Sequence, residues 1–427
     1  MKHFFIPTLN KKKFVFLFSV AGCVFSLFLM GGENKEWPEI GLDAALRTAW
    51  ERSPFLIQPS VGIDRAKIGL RGVKSQNYPK VGLSVRFFMN ITDLKQQRTV
   101  PSLDLNYDFF AFITNHQKKK YYEKLVDIAS SNLQYRRSLL LAAVYQEAAN
   151  ASFLRDSLRL LKQERESLEK IQAMLSIQRK YDLVPLSVFL DNEVLLKRCV
   201  QAQHKMHSQL EILVDRFSYL IGSGDKVLPE KISYDFDQIT VAQVDDLAED
   251  MAQKKLESAE LLLKGARIPN LPSLRLETYS VFPVNRELSM NQNFWISLSL
   301  NYVFFDAGER KRRIASAEAG LEEASAEYEK FKQEKSAEIK RLTAEVEELR
   351  IQLDIDNTEV RSLEMKITES DLEEVPNLFS EKIYSLNVRL FEKKLAGLRN
   401  RMALFLVQLE RAAKKYSFLL ETEKRTS

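Results

Sequence analysis

Residues 102–110 read SLDLNYDFF and residues 297–305 read SLSLNYVFF, seven identities in nine positions 195 residues apart in a chain of 427. Within each copy apolar and polar side chains alternate. That period of two sends successive side chains to opposite faces of an extended chain. Working outward, the alternation predicts four strands of about ten residues. They run over Val81–Asn90, Leu103–Phe112, Ser273–Phe282 and Trp295–Phe305. They form two pairs, separated by the polar stretches NITDLKQQRTVP (90–101) and PVNRELSMNQN (283–293), which read as hairpin loops.

Between the pairs the period changes to three and four. Ile314, Ala317, Leu321, Ala324, Tyr328 and Phe331 mark one helix face, and Leu342, Val346, Leu349 and Leu353 resume it after a skip. No Pro occurs from Asp306 to Val375, and neither Pro nor Gly from Ala111 to Val184. Each stretch predicts a helix of about seventy residues, on the order of 100 Å long. The break YDLVPLS precedes a return helix from about Val188 to Ile221, and DLEEVPNLFSEKIYS precedes another from about Leu386 to Leu420. Residues 33–224 and 225–427 therefore read as two structural repeats. The first holds a strand pair (81–112) and a helical hairpin (113–222), the second a strand pair (273–305) and a hairpin (308–420). A simple coiled coil has the same periodicity. The drifting apolar spacing and the strand pairs favour a bundle wall instead.

Lys11-Lys12-Lys13 followed by the uncharged run Phe14–Met30 has the form of an export signal, expected to be cleaved near Gly31 or Gly32, with residues 1–32 as signal peptide. The other reading is an inner-membrane anchor over residues 14–30, which would make the chain a coiled-coil scaffold or adaptor. The stretch VAGC (20–23) also offers Cys23 for lipidation. Beyond residue 32 the chain carries 59 basic and 58 acidic residues, interspersed, and such a balance disfavours nucleic acid as a partner. Cys199 is then the one remaining thiol, so no intrachain disulfide is expected. His204 and His207 share a helical spacing without an acid or Cys to complete a metal site, and no phosphate loop or nucleophile motif is present. Neither an enzyme nor a cofactor is expected.

Ten-residue alternating strands with aromatic ends suit a transmembrane β-barrel, in which every backbone group must be paired by closure. Four strands cannot close one, because about eight is the minimum. Two chains would supply eight strands and three would supply twelve. The strand faces divide into lumen candidates Arg86, Asn106, Asp108, Arg275, Glu277 and Asn301, and lipid-face candidates Leu105, Tyr107, Phe109, Leu300, Tyr302 and Phe304.

The order of short helices, strand pair, long helix, break and return helix, written twice, resembles the TolC-like outer-membrane efflux and secretion family from about Ile40 to Leu420. IGLDAALRTAWERSPFL (40–56) resembles the family opening, and FFAF (109–112) and FFDAGER (304–310) its strand-to-helix junctions. Gly308 fits the junction pattern, and Ile113 stands at that position in the first copy. The resemblance implies an α+β membrane protein in which long helical hairpins form a periplasmic tunnel. Four strands per chain would contribute to a twelve-stranded barrel of a homotrimer in outer-membrane lipid. It implies passive conduction of drugs or polypeptides, in tripartite efflux or type I secretion, from an inner-membrane transporter through a periplasmic adaptor. The adaptor would meet the hairpin tips. Tyr181, Val184, Ser187 and Leu190 fall at the first tip, and Phe379, Lys382, Ser385 and Val388 at the second. Aromatic and Ser match the family in both, whereas its usual Gly and Asp are missing from both.

Overall fold

A computed structural model describes residues 37–88, 98–234, 242–244, 246–268, 272–281, 294–373, 381–415 and 417–419. The export segment with Cys23, the second hairpin loop and the turn holding Phe379 lie outside the described residues. Two very long helices dominate the rest. Helix α3 runs over Ala111–Arg179, 69 residues, and α6 over Glu309–Glu373, 65 residues, as the absence of Pro predicts. Each is followed by a return helix, α4 at Leu186–Ile221 and α7 at Glu381–Lys415. Shorter helices α1 (Leu42–Arg52) and α2 (Ile57–Ser75) precede the first sheet strand, and α5 (Leu247–Arg267) precedes the third.

The four predicted strands form one antiparallel sheet in the order β2-β3-β6-β7. They span Lys80–Phe88, Arg98–Asp108, Ser273–Val281 and Phe294–Asn301. Their limits correct the sequence reading in three places. Strand β3 starts at Arg98, so Pro101, read as loop, pairs with Val85 inside the strand. Among the described residues β3 also pairs with β6, from Ser102 to Asp108. The same strand ends at Asp108, and Phe112 belongs to α3. Strand β7 ends at Asn301, leaving Tyr302, Val303, Phe304 and Phe305 in the connection to α6.

The second return helix also stops short of its predicted end. It ends at Lys415, and Ser417–Leu419 (β8) pairs antiparallel with Ala242–Val244 (β5). Another small pair joins Glu39–Ile40 (β1) in parallel to Leu228–Pro229 (β4). Segments of two or three residues are too short to show a period.

Helix α3 packs against α1, α2, α4, α5 and α7, and α6 against α5 and α7. This many-sided contact explains the drifting apolar pattern, because no single stripe serves all the neighbours. The main core lies midway along α3, where Leu141 and Val144 meet Leu46 of α1, Phe217 of α4 and Phe405 of α7. Helix α4 ends on Gly222, whose φ of 72° and contact with the carbonyl oxygen of Arg52 leave no room for a side chain. Polar groups are buried along both hairpins. Asn192 of α4 is fully buried and donates to the Leu168 carbonyl (3.2 Å) and to Gln172 Oε1 (2.5 Å). In the second hairpin Asp356 of α6 accepts from Asn400 Nδ2 of α7 at 2.6 Å.

Farther along α3, Glu164 lies between Leu161 and Leu168, on the side facing α4 and α7. With Tyr384, Asn387 and Phe391 it lines a cavity of about 150 Å³, and its Oε2 is buried without a hydrogen-bond partner among the described residues. Burial, and then the like charge of Glu392 across the interface, push its pKa up to about 7. A carboxyl that binds its proton more tightly in the folded chain contributes stability that is complete below its ordinary pKa of 4.5 and lost as pH rises through about 7. Discounted for the solvent-exposed part of the side chain, the loss is about 1–2 kcal/mol. Glu164→Gln is therefore expected to raise the thermal midpoint at pH 8 and leave it unchanged at pH 5, as followed by circular dichroism in detergent. Phe217→Ala removes a fully buried ring and is expected to cost about 3–5 kcal/mol in denaturant titration at either pH.

Candidate functional site

The sheet has two chemically opposed faces, which follow from its register. Asn106 lies opposite Glu277 and Asp108 opposite Arg275. Arg275 in turn faces Ser299, and Ser273 faces Asn301. Arg86 pairs with Val100, which by alternation is on the same side as Asn106. By register all six lumen candidates share one face, joined there by Lys80, Asp104, Ser297 and Ser299, and at its loop end by Val100, Tyr279, Val281 and Trp295. The opposite face carries Val81, Leu83, Leu103, Leu105, Tyr107, Leu274, Leu276, Ile296, Leu298 and Leu300. This apolar face is uncovered: Val81, Leu83, Ile296, Leu298 and Leu300 are each between 63% and 74% exposed. A continuous apolar wall of this kind is unfavourable in water. Among the lipid-face candidates, Leu105, Tyr107 and Leu300 lie on this wall. Phe109 continues it by one step, its N–H donating to the Leu274 carbonyl at 2.9 Å. Tyr302 and Phe304 fall beyond the strand, so their predicted strand face does not apply.

Strand becomes helix differently in the two halves. Between β3 and α3 only Phe109 and Phe110 intervene, and Asp108 Oδ1 accepts from the Phe110 N–H at 3.0 Å to close the turn. Between β7 and α6 there are seven residues. Asp306 does the capping there, its carboxylate accepting from the N–H groups of Gly308 (3.0 Å) and Arg310 (3.2 Å). The alignment of the copies at a spacing of 195 pairs Asp108 with Val303 and Ile113 with Gly308. By role, Asp108 corresponds to Asp306. Gly308 precedes its helix with φ 78°, after Ala307 at φ 50°, whereas Ile113 is already inside α3. The first junction reaches its helix without a left-handed residue and so needs no glycine. An aromatic pair marks both ends, Tyr107–Phe109 with ring centroids 4.9 Å apart and Tyr302–Phe304 at 4.8 Å.

At the far end of the first hairpin, Asp182 adopts φ 55°, and the Leu183 N–H reaches back to the Gln178 carbonyl at 3.1 Å. This is the αL cap that a glycine commonly supplies, taken here by Asp, a residue that tolerates the conformation. Pro185 then starts α4. The missing tip glycine at Val184 is thus replaced by a turn centred two residues earlier. Tyr181 is 73% exposed, Leu190 and Ser187 are exposed, and Val184 is half-buried. Of the second-tip candidates, Phe379 lies outside the described residues. Lys382 and Ser385 stand in the first turns of α7, and Val388, half-buried, follows one turn later.

Sequence reasoning missed Glu164 and Glu392, although an acid spaced i+3 and i−4 from Leu161 and Leu168 was a visible irregularity in the apolar stripe. Among the described residues no helix is long and apolar enough to cross a membrane.

No protein-family model matches the chain, and no curated protein matches it in sequence. Its shape does have close counterparts among solved structures. CusC, which forms a transmembrane channel, superposes with a TM-score of 0.74 at 15% identity over 88% of this chain and 92% of that one. The CmeC outer membrane channel of Campylobacter jejuni gives 0.73 at 14%, over 90% and 88%. The outer membrane protein VceC of Vibrio cholerae gives 0.72 at 15%, over 88% and 97%. The chain therefore has the fold of the TolC-family outer-membrane efflux channels.

Proposed function

We propose that this chain is one third of an outer-membrane export channel. One observation carries the reading: a four-stranded sheet with one largely polar face, one exposed apolar face and, among the described residues, two open edges. Three copies would supply the twelve strands of a closed barrel, with the apolar faces to lipid and Arg86, Asn106, Asp108, Arg275, Glu277 and Asn301 to the lumen. The helices would continue the passage into the periplasm as a homotrimeric tunnel. Each half of the chain contributes a strand pair and a helical hairpin to it, as copies of one duplicated unit. Cargo would be handed over by an inner-membrane transporter and a periplasmic adaptor, the adaptor meeting the tips near Tyr181, Ser187 and Leu190. The chain itself would perform no chemistry. Residues 1–32 would direct export, with cleavage near Gly32 or lipidation at Cys23. The likeness to CusC, CmeC and VceC supports the channel role at the level of fold.

Recovery as a trimer in the outer-membrane fraction, with ion conductance in planar bilayers, is the expected result. Recovery as an inner-membrane protein without β structure would instead support a scaffold anchored by residues 14–30. Neighbouring residues of β7 test the sheet faces. Leu298→Arg places a charge on the apolar wall at a cost of roughly 2–4 kcal/mol near a bilayer midplane, and is expected to abolish membrane assembly. Ser297→Arg, opposite Glu277 on the polar face, is expected to assemble normally and alter ion selectivity. Equal assembly of both variants, measured by heat-modifiable migration of the folded trimer, would reject this assignment of faces.

A further inference from the structure

The antiparallel order of the sheet brings all four of its connections to the helices to one edge. These are residues 71–80, 109–120, 264–272 and 302–313, and together they hold twelve basic residues and two acidic ones, Asp306 and Glu309. Elsewhere beyond residue 32 the chain carries 47 basic and 56 acidic residues, so the cationic excess is confined to these connections. The concentration is greatest at the starts of the long helices, Lys118-Lys119-Lys120 on α3 and Arg310-Lys311-Arg312-Arg313 on α6.

Few of these charges are answered within the chain. Lys119 pairs with Glu123 at 3.6 Å, Lys264 with Glu260 at 3.8 Å and Arg267 with Glu318 at 3.0 Å. Lys118, Lys120, Lys311, Arg312 and Arg313 are exposed and make no ion pair with a described acid. Arg310 donates to the Arg267 carbonyl at 3.1 Å, and its buried Nε has no acceptor among the described residues. Cations in the first turn of α6 also oppose the helix dipole, whose N-terminal end is positive. Asp306, which caps the helix, and Glu309 in its first turn set two carboxylates against the four cations Arg310–Arg313, and the surplus points to an anion supplied from outside.

The surroundings favour lipid as the source. The belt lies where the exposed apolar wall of the sheet ends, beside the exposed rings of Tyr302, Phe304 and Phe305. Aromatic rings followed by long cationic side chains are the arrangement of a membrane–water boundary, where Lys and Arg lay their stems on apolar surface and extend their charges to headgroups. Below the sheet edge a groove of about 800 Å³ combines both requirements, with Lys118, Arg310 and Arg313, offset in part by Asp306 and Glu309, beside Tyr121 and Leu262.

We propose that the belt at the helical edge of the sheet binds the phosphate headgroups of anionic phospholipids in the adjoining leaflet, and so fixes the depth of the protein in the membrane. The inference rests on the membrane-spanning reading of the sheet. Each cation near an anionic leaflet strengthens attraction about fivefold, so losing three should weaken lipid enrichment at least tenfold.

The full-length protein and the variant Lys118→Gln/Arg312→Gln/Arg313→Gln would be reconstituted into vesicles of phosphatidylcholine, alone or with an equal amount of phosphatidylglycerol. Conductance reports insertion. Native mass spectrometry after mild detergent extraction reports the retained lipid. The expected result is insertion in both vesicle types, phosphatidylglycerol enriched on the wild type, and enrichment lost in the triple variant. Arg312→Lys/Arg313→Lys, which keeps the charge, should retain it. Insertion with lipid retained at the bulk ratio would overturn the belt and leave the channel standing. Failure to insert in either vesicle would remove the spanning reading and the belt with it. Loss of trimer in the triple variant, with the phosphatidylglycerol ratio unchanged, would assign these cations to contacts between copies and overturn the lipid proposal.

Discussion

Backbone hydrogen bonding sets the terms for this structure. Strands β2 and β7 bound the sheet, and within the described residues each pairs on one side only. In water such edges are solvated at modest cost. In hydrocarbon each unpaired N–H and C=O costs several kcal/mol, so a sheet with a lipid-compatible face needs a partner on both edges. One chain cannot provide it. The apolar face and the open edges thus pose one problem, which the proposed closure by further copies would solve for both. In the proposed trimer, the helix faces left outside the core around Leu141 and Phe217 would be covered by neighbouring copies.

The helices show how little periodicity alone specifies. Helix α3 touches five others, and its apolar residues are distributed among them. Register between the arms of a hairpin is held by buried polar contacts, Asn192 to Leu168 and Gln172 in the first and Asp356 to Asn400 in the second. A buried amide or carboxylate can satisfy its hydrogen bonds in one alignment only. Such contacts select a register even where they add little net stability.

What could be read from the sequence depended on how local the determining physics was. The alternation in Ser102–Asp108 and Ser297–Asn301 is a property of neighbouring residues, and the sheet and its two faces follow from it. The absence of Pro and Gly gave α3 to within a few residues at each end. The limits of the strands were less legible, because Phe112 and Phe305 continue an alternation that the backbone has already abandoned. Asp306 stops being recognisable as the partner of Asp108 once the copies are aligned by identity, since the second connection is longer. The short pairs β1–β4 and β5–β8 join residues almost two hundred apart, and nothing local announces them. The charges of Lys118–Lys120 and Arg310–Arg313 look interspersed along the chain. They become a belt only when the topology brings four separate connections to one edge.

The unequal joints between sheet and helix bear on how force passes through the molecule. In the first half two residues, locked by the Asp108 carboxylate, connect β3 to α3, so a twist of that helix is transmitted to the strand as through a weld. In the second half seven residues intervene, ending in Ala307 and Gly308 with φ of 50° and 78°, and a twist of α6 can be absorbed there as in a swivel. Two hairpins alike in length would then load the sheet differently. Rotation of the second could proceed while the first holds the wall in place.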